Sequence, residues 1–247
     1  MNKYALWSGC ICVAAILMAS GCASAQEKSQ KTIRQESKAD IVALAQELQK
    51  HSRKADEATM VMWLPEEFWR ASMTQNPNTT EAQIDNFVKH IRRYTFILAL
   101  DGTHGPFGAV TYKSEADIRA RIQIRDSEGT FYRPISQDTI DADTKILVSI
   151  MSPFFANMLG PMGENTHFYL FPPKNVNGQR IADAQKEGTF AVQIGEREFT
   201  WRLPLRSLVP PKICPVDGER MSGAWKFCPW HGNRLLLEEE WQKARKN

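Results

Sequence analysis

Apolar residues recur at Ile41, Leu44, Ala45 and Leu48, the i, i+3, i+4, i+7 stripe of a helix. The pattern predicts an amphipathic helix over about 38–56, behind a polar tether over 26–37. The run TMVMWL (59–64) reads as a strand, and Pro65 with Glu66 and Glu67 opens a short helix. Thr80 and Gln83 have capping-box spacing, and Ile84, Phe87, Val88 and Ile91 repeat the helical stripe, predicting a helix over 80–93. Strands follow at 94–100 and 108–112. Alternation of Arg119, Arg121, Gln123 and Arg125 with Ala120, Ile122 and Ile124 predicts a half-buried strand, turned by 126–129 into another at 130–135. Ser136 is positioned to cap a helix that Pro153 ends or kinks, with a second short helical piece over 154–159. Strands return at 166–171, 189–194 and 199–203, the last two flanking a four-residue hairpin loop. The stretch PLRSLVPP (204–211) marks a boundary, and a short charged helix is expected within 235–245.

Clustered strands with tight turns and few helices predict an α+β fold: an antiparallel sheet or sandwich-like β domain, plus a small C-terminal knuckle. The expected organisation is an export signal over 1–25, tether and helix over 26–58, the α+β domain over 59–204, and the knuckle with its helix over 212–247.

The first residues have the layout of an export signal: basic Lys3, an uncharged apolar run over 4–19, then small residues before charge returns at Glu27. Ala23-Ser24-Ala25 offers one cleavage site. The other, Ala19-Ser20-Gly21-Cys22, resembles a bacterial lipoprotein box, although Ala19 stands where an aliphatic residue is usual. That resemblance implies lipidation of Cys22 and a membrane-anchored protein of the periplasm or cell envelope. The chain carries 31 Lys and Arg against 28 Asp and Glu, net +3, which gives no basic excess of the kind nucleic acid demands.

The usual catalytic signatures are missing: there is no Gly-x-Ser-x-Gly, no His-Glu-x-x-His, no Gly-x-Gly-x-x-Gly and no phosphate-binding loop. His104 falls in a loop (DGTHGP), and His167 alternates with Tyr169 and Phe171 on a strand. Asp138, Asp141 and Asp143 fit a helix start better than a calcium loop, which needs a glycine turn. The cluster FFANMLGPMG (154–163) reads as core, with an exposed methionine-rich surface as its alternative.

The remaining signal is a repeated pentapeptide, Cys214-Pro-Val-Asp-Gly218 and Cys228-Pro-Trp-His-Gly232. Proline stiffens such a turn and glycine permits its left-handed corner. Over 213–235 the layout resembles a zinc ribbon, whose ligands are the first and fourth residues of each half. Asp217 and His231 stand where the ribbon has cysteine. The resemblance implies one structural zinc ion on Cys214, Asp217, Cys228 and His231. A Cys214–Cys228 disulfide, natural in an oxidising compartment, and two plain turns with free thiols are the other readings.

The sequence therefore points to an exported, lipid-anchored envelope protein with a binding or assembly role, its partners a membrane and a protein. The alternative is a hydrolase-type enzyme with a loop-borne site near His104 or His167.

Overall fold

The computed structural model describes residues 41–245; the expected leader, lipid site Cys22 and tether lie outside the described residues. Among the described residues the fold is α+β, with six helices and entirely antiparallel sheets. In chain order the elements are α1 (41–48), β1 (Gln49–His51), β2 (Met60–Trp63), α2 (Glu66–Thr74), α3 (Glu81–Ile91), β3 (Thr95–Leu100), β4 (Gly102–His104) and β5 (Val110–Tyr112). Next come α4 (Glu115–Arg121), β6 (Ile122–Arg125), β7 (Phe131–Tyr132), α5 (Ala142–Leu159), β8 (His167–Phe171), β9 (Gly188–Ile194) and β10 (Arg197–Leu203). The chain closes with β11 (Lys212–Ile213), β12 (Arg220–Met221) and α6 (Glu238–Ala244).

One four-stranded sheet has the order β1-β2-β3-β8, the other β10-β9-β6-β7. Register sorts the side chains of the first. Trp63 pairs with Ile97 and Ile97 with Tyr169, so these share one face; Met62, Leu98 and Phe168 share the other. Trp63 packs at a tilt against Phe190 of β9 at 4.9 Å and reaches Trp201 of β10 at 6.2 Å, so its face meets the second sheet. Phe168 meets Phe155 of α5, which touches Trp69 of α2, so the opposite face lies under helices. Covered on both sides, β2 and β3 are buried along their whole length, which is why their sequences are apolar apart from Thr95 at the start of β3. The second sheet has a wet face: in β10, Phe199 and Trp201 point inward while Glu198, Thr200 and Arg202 are exposed.

Several expected boundaries move. The helix expected over 38–56 ends at 48, and the chain becomes β1, paired with the open side of β2. Tertiary contacts fix that end: Trp201 Nε1–H donates to the Glu47 carbonyl, and the Glu47 carboxylate accepts the Arg206 and Ser207 amides. The strand expected over 119–125 is half helix. Ser114 caps α4 through the Asp117 amide, Glu115 and Arg119 pair one turn apart, and only 122–125 are extended. Ile118 and Ile122, both buried four residues apart, satisfied helical spacing as well as alternation. The Ser136 helix is a short 3₁₀ turn, Gln137–Thr139; the long helix starts at Asp141, which caps Thr144, and runs through Pro153 without a break. Burial of Met151 and Phe155 on either side of Pro153 outweighs one lost backbone bond. The hairpin loop is two residues, Gly195-Glu196, because Arg197 pairs directly with Ile194.

Candidate metal centre

The C-terminal unit has a core of its own, separate from the main one and only four side chains large: Cys214, Met221, Cys228 and Leu235. Two turns of one design build it. After β11, the Cys214 amide donates to the Glu219 carbonyl (2.9 Å) and the Gly218 amide to the Cys214 carbonyl (2.9 Å). Fourteen residues on, the Cys228 amide donates to Asn233 (2.8 Å) and the Gly232 amide to Cys228 (2.9 Å). Gly218 and Gly232 both sit in the left-handed region, at φ 76° and 69°. Gly218 is also packed close: a β-carbon there would lie 3.3 Å from the Trp241 ring, whereas Gly232 faces open space. Ile213 and Leu236 exchange backbone bonds of 2.7 and 2.9 Å, and Leu235 donates to Lys226, holding the turns side by side.

This pairing brings both sulfurs to one point. Cys214 Sγ, Cys228 Sγ and a ring nitrogen of His231 all lie within 4.8 Å of one another, and the sulfurs are not bonded together. His231 Nδ1 stands 3.4 Å from Cys214 Sγ and 3.6 Å from Cys228 Sγ. A tetrahedral ion with ordinary zinc–sulfur and zinc–nitrogen bonds has sulfur–nitrogen edges of about 3.6 Å. The three groups are therefore spaced as corners of one coordination sphere and could hold a metal ion. Two thiols and an imidazole suit a borderline-soft cation, not calcium or magnesium. Asp217 lies beside this trio but outside it. Its Oδ2 is 3.6 Å from His231 Nδ1, while Oδ1 accepts the Glu219 amide (2.9 Å).

The electrostatics make the two thiols unequal. Burial pushes the Cys214 thiol up, and the Asp217 carboxylate and Cys228 add to this against the Val216 and Asp217 amides. Burial also opposes ionisation of Cys228, but the His231 and Trp230 amides, the His231 ring and Cys214 outweigh it and leave that thiol below its ordinary range. Each sulfur thus faces two amides of its own turn, at matching positions. Asp217 is held below the usual carboxylate range, by the Glu219 amide first and the Cys214 thiol next.

The histidines named from sequence fall elsewhere. His104 is not in a loop but ends β4, paired with Val110 in a hairpin. It lines a pocket of about 290 Å³ with His51, Ser52, Glu57, Thr59 and Tyr112. Ser52 Oγ–H donates to Glu57 in a short contact, and Glu57 is also paired with Lys54 and Arg197. Among the described residues, Ser52 is bonded to that carboxylate and not to an imidazole. His167 is on β8, away from that pocket, half-buried, and its pKa is lowered by burial.

Sequence reasoning passed over Asp101, read as a turn residue. It is fully buried and accepts bonds from Thr59, Arg121 and Arg197, with Lys113 3.0 Å away. Its partners come from four separate stretches of chain, so no local pattern announces the cluster. No known protein family, curated protein or solved structure matches this chain.

Proposed function

We propose that this is a non-catalytic binding and assembly protein of the cell envelope, anchored by lipid on Cys22, whose C-terminal knuckle is closed by one structural zinc ion. Cys214, Cys228 and His231 supply three ligands and Asp217 the fourth, after a small rotation of its carboxylate. The observation that carries this reading is the match between the His231–sulfur separations and the edges of a zinc tetrahedron. Four protein ligands leave no open position, so the ion stabilises and does not catalyse. The binding role is supported by what the knuckle exposes. Val216 and Trp230 occupy equivalent positions at the two turn tips, and Trp225 and Phe227 stand out beside them. Metal analysis with thiol titration, on protein taken from its native compartment, tests the reading. One zinc per chain, lost in a His231→Ala variant, is expected. No metal and no free thiol would mean that a disulfide closes the knuckle instead.

A second reading has one observation in its favour: His104 and the Glu57 carboxylate line the same pocket as Ser52. On that reading the protein is a hydrolase. Turnover of short-chain ester substrates by the wild type, abolished in both Ser52→Ala and His104→Ala, would establish it over the first.

A further inference from the structure

Helix α5 breaks the usual rule for a surface helix. Its inner side packs on the core through Met151 and Phe155, and its outer side should then be charged. Instead, no charged residue or histidine occurs from Ile146 to Gly163, between Lys145 and Glu164. The outer side carries Ile146, Ile150, Phe154 and Met158, one every four residues, exposed by 58%, 68%, 44% and 38%. The expectation that FFANMLGPMG is core holds for Phe155 and fails for Phe154 and Met158.

We propose that this outer stripe of α5 rests in the surface of the lipid bilayer to which the chain is tethered. Three observations favour lipid over a protein partner. The stripe is aliphatic with one phenyl ring and lacks the Trp, Tyr and Arg anchors that concentrate energy in protein interfaces. Its hydroxyls need nothing from outside: Ser149 Oγ–H donates to the Ile146 carbonyl (2.7 Å) and Ser152 Oγ–H to Val148 (2.8 Å). Hydroxyls bonded within their own helix lie against lipid at little cost, and the exposed Asn157 amide, near the helix end, is left for the headgroup layer. Lastly, residues 23–40 are all that separates Cys22 from the first described helix. Fully extended, that segment spans at most about 65 Å, so an acylated Cys22 holds the domain close to the membrane at high local concentration. This last point rests on the lipid-anchor reading above. The stripe adds orientation: it lays one side of the domain on the bilayer and turns the rest outward.

The test uses the full chain with its own leader. Phe154→Cys and, as reference, Val176→Cys in an exposed turn are treated with a water-soluble maleimide, and labelling is read peptide by peptide by mass spectrometry. On membranes, position 154 should label at least about tenfold more slowly than in the same chain released by Cys22→Ala, with 176 unchanged. Equal labelling of 154 in both chains would overturn the proposal. So would protection at 154 that persists in the released chain without vesicles, because a protein or second copy would then be the cover. If mass spectrometry finds no acyl group on Cys22, the anchor reading fails by itself. The stripe is then judged by vesicles of phosphatidylcholine and phosphatidylglycerol. Wild-type binding weakened at least about tenfold by Ile150→Ser sustains it, and no binding or no weakening sinks it.

Discussion

The described residues form two cores built on different physics. The larger draws Trp63, Phe190 and Trp201 together between two sheets and Trp69, Phe155 and Phe168 between sheet and helices. The smaller has four side chains, two of them cysteines. A unit spanning 212–245 is below the size at which apolar burial alone suffices; domains under about 40 residues usually need a metal or a disulfide. The difference teaches where specification lies. In the large core, identity is spread over many apolar positions, any of which tolerates a similar neighbour. In the small one it is concentrated in two thiols, one imidazole and two left-handed corners.

The contrast is sharpest if the two cores fail separately. Cys228→Ser, or chelation, should release the knuckle while leaving the main domain folded. Metal ligation in small zinc peptides is worth of order 10 kcal/mol, so the whole knuckle unit should open. Limited proteolysis should cut within 212–245 while the main urea transition stays put; a shift of that transition by more than about 1 kcal/mol would join the two cores into one.

Trp63→Ala is the converse. It removes the ring between Phe190 and Trp201 and should cost about 3–5 kcal/mol in chemical denaturation. Zinc stoichiometry of the folded variant should remain that of the wild type, and a loss would argue that the knuckle depends on the main core.

Within the small core the two corners differ. Gly232→Ala meets only the left-handed penalty, about 1 kcal/mol, while Gly218→Ala also drives a methyl group at Trp241 and should cost more. Affinity for zinc, measured by competition with a chromophoric chelator, should fall in that order. Equal losses would show that Trp241 simply moves away.

The smallest effect concerns the main domain alone. Asp141 has its pKa drawn down to about 2: burial opposes this, but the Thr144 hydroxyl and amide, Tyr94 and Arg93 outweigh it. A depressed carboxylate stabilises the fold above its unfolded pKa and loses that contribution as pH falls, here between about pH 4 and 2. Asp141→Ala should cost about 1 kcal/mol at neutral pH and flatten the acid limb of stability against pH. An unchanged limb would assign acid unfolding to other carboxylates, with Asp101 the first to examine.

Much of this was legible because it depends on near neighbours. The Thr80–Gln83 capping box forms with both reciprocal contacts. The Cys-Pro-x-x-Gly pair implied two like turns, and the structure brings Cys214, Cys228 and His231 together. Asp217, read by the same rule, stands at the edge of the trio because one of its oxygens is engaged by the Glu219 amide. Patterns that serve two periods misled: Ile118 and Ile122 suit a strand by parity and a helix by turn.

What the sequence by itself determined was local: caps, left-handed corners, buried apolar strands, and the thiols and imidazole at the knuckle that could hold a metal. Each follows from groups a few residues apart, whose geometry the backbone dictates. Only the tertiary structure decided that α1 stops at 48, that Asp101 is buried among three cations, and which side of α5 stays uncovered. Those outcomes depend on partners tens of residues away, and an apolar residue carries no mark of whether another element will arrive to cover it.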